Sequence, residues 1–208
     1  MEFLWTSFEI VGTVAFAISG ALVGVSRRMD IFGMLVLALA TAIGGGIVRD
    51  ILVGHFPPNS LQTGFYVLLT LAVTIAVFMV YRSKQDHHMS TRWVRRIYLT
   101  ADTIGLASFT VTGTSVGVYA YPQYPIFCMI LGILTAVGGG MIRDVLAQRV
   151  PSVLREEVYA LPAIIGSAVY YVFGYDGAWL YASYGAFITV FLIRTAAIRY
   201  EWRLPRVY

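Results

Sequence analysis

Residues Gly44 to Asp50 read Gly-Gly-Gly-Ile-Val-Arg-Asp, and Gly138 to Asp144 read Gly-Gly-Gly-Met-Ile-Arg-Asp. Each copy joins two things an apolar segment normally avoids. Three successive glycines cost a helix interior roughly 3 kcal/mol relative to alanine. An arginine and an aspartate then follow in the same apolar run. A helix broken at the glycines Gly44, Gly45, Gly46 and Gly138, Gly139, Gly140 frees carbonyl oxygens that can replace part of a cation's hydration shell. Such breaks are tolerated at membrane depth only where they are buried in protein or line a wet cavity. The chemistry suggested is a polar passage, with close packing of helices through small residues as the competing use of the glycines.

The charged residues of the motif need partners. Arg49 and Asp50 point about 100° apart on a helix, so neither has to pair with the other. Glu9 and Arg49 each lie roughly 7 to 8 Å inside the same end of their spans, counting about five residues of helix rise. Asp102 and Arg143 match at the opposite face. The depths predict Glu9–Arg49 and Asp102–Arg143 as proximal pairs, with Asp50 and Asp144 completing each cluster. Charges inside a membrane are rare and by default indicate a functional site; a structural clamp at the helix ends is the alternative.

These side chains need a membrane scaffold. The chain has 208 residues, 58% hydrophobic and 12% charged, against about a quarter charged in a soluble domain. Hydropathy predicts seven spans, near 3–25, 31–54, 62–81, 98–119, 125–148, 157–174 and 178–198. The motif belongs to a longer repeat. Thr41 to Pro57 aligns with Thr135 to Pro151 at an offset of 94. Upstream, Glu9, Gly12, Phe16, Gly20 and Gly24 match Asp102, Gly105, Phe109, Gly113 and Gly117 at an offset of 93. Spans one to three (4–82) and four to six (98–174) therefore read as two copies of one unit. An odd number of spans per copy turns the second upside down. A seventh span and a basic tail occupy 178–208. The fold class expected is an all-α integral membrane protein, a single membrane domain over 1–208 with seven transmembrane helices.

Basic residues orient it. Net charge is +4, and the cations cluster in alternate connections: Arg27 and Arg28; Arg82, Lys84, Arg92, Arg95 and Arg96; Arg149 and Arg155; Arg194, Arg199, Arg203 and Arg206. The intervening connections carry none, which predicts the N-terminus outside and the C-terminus inside. The same distribution argues against nucleic-acid binding. The first apolar stretch is followed by its positive charges, unlike a signal peptide, and reads as a span. Trp5, Trp93, Tyr98, Tyr121, Tyr124, Trp179 and Trp202 fall near span ends, as interfacial aromatics do. The lone Cys128 sits in an apolar run, as a packing residue does. Asp86 to His88 lacks a metal-ligand set of recognised spacing. No nucleophile–base arrangement and no phosphate-binding loop are present, so neither an enzyme nor a cofactor is expected.

Two copies of G-G-G-x-x-R-D in inverted three-span repeats, followed by a seventh span, resemble the prokaryotic trimeric intracellular cation (TRIC) channels. They also resemble the overlapping bacterial domain family labelled as glycine transporters. The likeness covers about residues 4 to 198. It implies a homotrimer in a prokaryotic inner membrane, in contact with membrane lipids. Each protomer would hold its own pore for the monovalent cations K⁺ and Na⁺, beside spans two and five kinked at the glycines. Arg49, Asp50, Arg143 and Asp144 would stand at the ends of the pathway. Animal members carry a lysine-glutamate-valine motif where this chain has its second glycine triplet, so their gating is not carried over. Hydroxyls at Ser19, Thr41, Thr110, Thr112, Thr114 and Thr135 are candidate pore lining. Phe16 and Phe109 are either a dewetting constriction or ordinary packing. Three functions fit one architecture: a passive cation channel, a carrier for a small zwitterion such as glycine, and a lipid-stabilised structural protein.

Overall fold

The structure, a computed structural model, describes residues 2–83, 91–155 and 158–202. Lys84, the Asp86–His88 stretch, Arg203 and Arg206 lie outside the described residues, as does the side chain of Arg155. All regular structure among them is helical: α1 (Glu2–Ser26), α2 (Ile31–Leu52), α3 (Asn59–Gln62), α4 (Phe65–Ser83), α5 (Thr91–Ala120), α6 (Pro125–Leu146), α7 (Ser152–Arg155), α8 (Leu161–Tyr175) and α9 (Trp179–Arg199). Five of these, α1, α2, α4, α6 and α9, are each long and apolar enough to cross a membrane. The α5 helix has the length but carries many serines and threonines, and α8 is apolar but only 15 residues long.

Local chemistry explains the boundaries. The Asp30 side chain accepts from the Gly33 N–H at 2.7 Å and caps α2. Left-handed Gly64 separates α3 from α4, so the span expected at 62–81 begins at Phe65. The span expected at 98–119 is the apolar part of a longer helix whose first turns carry Arg92, Arg95 and Arg96. The span expected at 157–174 starts at Leu161, where Pro162 fits a first turn that needs no amide donor.

The α1 and α5 helices pack on each other at the centre. The α2 helix packs on α1, α6 packs on α5, and α2 and α6 cross one another. The α4 helix lies against α1 and α2, and α8 against α5 and α6, with α9 covering α5 and α8. The main cluster gathers Phe16, Leu106, Phe109, Ala42, Ala136, Tyr159 and Val190 around the α1–α5 seam. Only Thr70 and Thr74 of α4 are buried, which leaves that helix the most outward of the long ones.

Candidate functional site: twin arginine clusters across a glycine crossing

The glycine triplets do not interrupt their helices. Ile31–Leu52 and Pro125–Leu146 are each one continuous α-helix through Gly44–Gly46 and Gly138–Gly140, which corrects the expected breaks. The physical reason is the crossing of α2 and α6. A Cβ on Gly45 would lie 2.2 Å from the Thr135 carbonyl oxygen, and one on Gly139 would lie 2.0 Å from the Thr41 carbonyl oxygen. The two backbones touch where side chains are absent, as in small-residue helix interfaces. Flanking positions are looser. Gly44 would meet only the tip of Ile142, at 2.8 Å, Gly138 the Gly45 Cα at 3.5 Å, and Gly46 the Arg49 guanidinium at 3.7 Å.

One turn beyond each crossing sits a buried arginine. Arg49 donates through Nη1 to Glu9 of α1 and through Nε to Asp50 Oδ1 at 2.8 Å. Asp50 Oδ2 accepts the Asn59 N–H at 2.8 Å, which anchors α3. Ninety-four residues on, Arg143 donates through Nη1 to Asp102 of α5 at 2.6 Å and through Nε to Asp144 Oδ1 at 2.8 Å. Asp144 Oδ2 accepts the Ser152 N–H at 2.8 Å, which anchors α7. The structure therefore brings Glu9 to Arg49 and Asp102 to Arg143. Asp50 and Asp144 complete the two clusters by bonding their neighbouring arginines: the long side chain curls back along the helix end and spans the angle. Burial of all six residues, at 6% exposure or less, keeps these charge-assisted bonds away from competing water.

Two further layers escaped the sequence reading. Trp5 and Tyr98, read as interfacial aromatics, instead cover the motif arginines, with ring centres 5.5 Å from Arg49 Cζ and 5.2 Å from Arg143 Cζ. Tyr66 borders the same small space as Arg49 and Glu9. Tyr159 lies beside Gly140, its hydroxyl 3.0 Å from where a Cβ would stand. The signal was present: Trp5 and Tyr98, like Tyr66 and Tyr159, are 93 residues apart, the offset of Glu9 and Asp102. Arg149 and Arg194 were read as topology signals. Arg149 bonds Asp144, and Arg194 of α9 is 3% exposed, donates to the Val158 carbonyl at 3.2 Å and stacks 4.6 Å from the Tyr159 ring.

Between the clusters the seam is filled by two aromatic rings. Phe16 and Phe109 meet edge to face, centroids 5.1 Å apart, both almost fully buried. Phe16 occupies the notch left by Gly105, and Phe109 that left by Gly12. Most candidate hydroxyls are turned into their own helices. Thr41, Thr110, Thr114 and Thr135 are buried and donate to carbonyls four residues back at 2.6–2.8 Å. Ser19 is different: its Oγ accepts from Arg143 Nη1 at 2.6 Å. Thr112 Oγ1 is buried without a hydrogen-bond partner. Two spaces lie at the first-motif end. A cavity of about 830 Å³ is bordered by Trp5, His55, Asn59, Ser115 and Trp179. One of about 10 Å³ shares Trp5 and Asn59 with it and reaches Glu9, Arg49, Gly46 and Phe109. The smaller has room for about one water.

The family model described as Glycine transporter matches residues 6–82 and again 99–175. The chain is 36% identical over 201 residues to the UPF0126 inner membrane protein YadS of Escherichia coli (strain K12), covering 95% of this chain and 93% of that protein. Among solved structures, one of a prokaryotic TRIC channel superposes with a TM-score of 0.89 at 34% identity, covering 98% of this chain and all of the other. The TRIC orthologue of Rhodobacter sphaeroides superposes with a TM-score of 0.86 at 31% identity over 95% of this chain and 98% of its own. Twin arginine clusters on two matched segments and full-length likeness to solved relatives agree: the chain is a multi-pass bacterial membrane protein and belongs to the prokaryotic TRIC family, which overlaps the family described as Glycine transporter.

Proposed function

We propose that this chain is a passive channel for the monovalent cations K⁺ and Na⁺, working as a homotrimer with one pore in each protomer. The observation that carries the proposal is near-complete superposition on solved TRIC channels at 31–34% identity. In this reading α1, α2, α4, α5, α6, α8 and α9 are the seven spans. Residues 4–82 and 98–174 are inverted repeats, and 178–208 adds the seventh span and tail. The N-terminus faces outward and the C-terminus inward, as the basic connections ask. The Glu9–Arg49–Asp50 cluster then marks the outer end and the Asp102–Arg143–Asp144 cluster the inner end.

The route follows the α1–α5 seam, from the outer cavity past Glu9 and Arg49, between Phe16 and Phe109, to Ser19 and the inner cluster. The glycine triplets serve it by letting α2 and α6 close tightly behind the seam, not by offering carbonyls to the ion. The aromatic pair is a constriction too narrow and apolar for a hydrated cation, so the conformation described above is a closed one. Nothing in this scheme calls for catalysis.

Purified protein in planar bilayers tests the proposal, with K⁺, Na⁺ and glycine gradients compared on one preparation. Unitary K⁺ currents are expected. Saturable glycine uptake without unitary events would replace the channel with a carrier. Absence of both would leave a structural membrane protein.

A further inference from the structure

The larger space at the first-motif end has unlike walls. Its volume, about 830 Å³, falls within the roughly 300–1,000 Å³ of small-molecule sites. Trp179 of α9 and Tyr119 at the end of α5 bring two aromatic rings to it, and Glu2 in the first turn of α1 brings a carboxylate. Among the described residues no lysine or arginine borders it, so the one formal charge on its wall is that of Glu2. Trp5 contributes differently. One face of its ring is already taken by the Arg49 guanidinium, 5.5 Å from the ring centre, which makes that ring a poor seat for a second cation. Its Nε1–H is buried and has no hydrogen-bond partner in the protein. A buried donor without an acceptor is costly, so this edge of the cavity favours a ligand that carries an oxygen.

We propose that this cavity binds a small quaternary ammonium ion bearing an oxygen acceptor, choline being the simplest. A quaternary ammonium has no N–H to hydrate, so it exchanges water for the faces of Trp179 and Tyr119 at little cost. A K⁺ or Na⁺ ion holds its water and gains less from such walls. Glu2 supplies the opposite charge, and the ligand's hydroxyl oxygen accepts the Trp5 Nε1–H. The cationic group and the acceptor are needed together, which neither a bare metal ion nor an apolar molecule provides. Choline reaches a membrane protein free or as the headgroup of a lipid. The wall has no cationic side chain to meet a lipid phosphodiester, which favours the free ion. Binding here is independent of the channel reading; within that reading the ligand stands in the outer cavity of the route and obstructs it.

Isothermal titration of the purified protein tests the site, in nanodiscs of phosphatidylethanolamine and phosphatidylglycerol. Choline is expected to bind, and its neutral carbon isostere, dimethylbutanol, about tenfold more weakly or not at all. Tetramethylammonium, which lacks the oxygen, should bind several-fold more weakly than choline. Trp179→Leu should weaken choline about tenfold. Glu2→Gln, at an exposed position that leaves the fold intact, should weaken it several-fold. Trp5→Phe, which keeps a ring and deletes the donor, should abolish the preference for choline over tetramethylammonium. Adding phosphatidylcholine to the nanodiscs identifies the source: competition with choline assigns the lipid headgroup, and unchanged choline affinity the free ion. Choline without heat overturns the site. Equal affinity for the isostere also overturns it, leaving an apolar pocket only. Unchanged choline affinity in both Trp179→Leu and Glu2→Gln places binding elsewhere, and an undiminished preference in Trp5→Phe removes the acceptor from the ligand. Choline added from the outer side should also reduce K⁺ current. Absence of K⁺ current in the unmodified protein counts against the channel reading alone, because the titration is read without it.

Discussion

Arg49 and Arg143 occupy matching positions but differ in what depends on them. Arg49 is the guanidinium bonded to both Glu9 and Asp50. Asp144, by contrast, is held by Arg143 and Arg149 together. Removing one partner of a buried ion pair costs about 3–5 kcal/mol, because the remaining charge is left desolvated. Arg49→Ala strands two carboxylates and Arg143→Ala strands chiefly Asp102. Both variants are expected to unfold more readily in detergent, Arg49→Ala by at least as much as Arg143→Ala. Neutralising Glu9 with glutamine in the Arg49→Ala background should recover part of the loss. Additive losses in that double-mutant cycle, measured by denaturant titration, would mean that the pair is not energetically coupled.

At the scale of elements the decisive contact is the crossing of α2 and α6. The seven-residue motif announces that something happens at each triplet, but the three glycines are not equivalent in space. Only Gly45 and Gly139 abut a backbone carbonyl, at 2.2 and 2.0 Å from an added Cβ. A carbonyl cannot rotate away as a side-chain tip can, so Gly45→Ala and Gly139→Ala must part the helices. Overpacking of this kind costs typically about 1–3 kcal/mol. Gly138→Ala, whose Cβ would meet the Gly45 Cα at an ordinary 3.5 Å, is expected to stay within about 0.5 kcal/mol, as unstrained substitutions do. Equal losses at Gly138 and Gly139, by thermal unfolding in detergent, would remove the crossing as the reason for the triplet. The same contrast shows what was legible beforehand. Equal depth from a span end placed Glu9 beside Arg49, since that geometry follows from helix rise alone. Helix continuity through the triplets was not legible, because propensity records what glycine costs a lone helix and not what a partner helix returns. Trp5, Tyr98, Arg149 and Arg194 were assigned by their distance from the membrane boundary. That measure cannot tell a residue facing lipid headgroups from one turned inward onto a buried charge.

For the whole molecule, the two segments that match the family model meet at Phe16 and Phe109, equivalent positions 93 residues apart. Each ring fills the notch of a glycine on the other helix, Gly105 or Gly12, so the pair locks α1 to α5 between the two clusters. A route along this seam has polar ends and an apolar middle, and the middle sets whether water is continuous. Truncating one ring removes its contacts and leaves a void costing about 3–5 kcal/mol. Truncating both joins the voids across the α1–α5 seam, where the space bordered by Thr13, Gly46 and Phe109 already reaches from one side. Phe16→Ala with Phe109→Ala is therefore expected to lower stability and yet raise open probability in planar bilayers, a combination that simple damage does not produce. Phe16→Leu, which keeps the middle apolar and filled, should leave gating near that of the unmodified channel. If the double alanine variant assembles normally and its currents match the parent, the seam between α1 and α5 is not the path, and the ions cross elsewhere in the bundle.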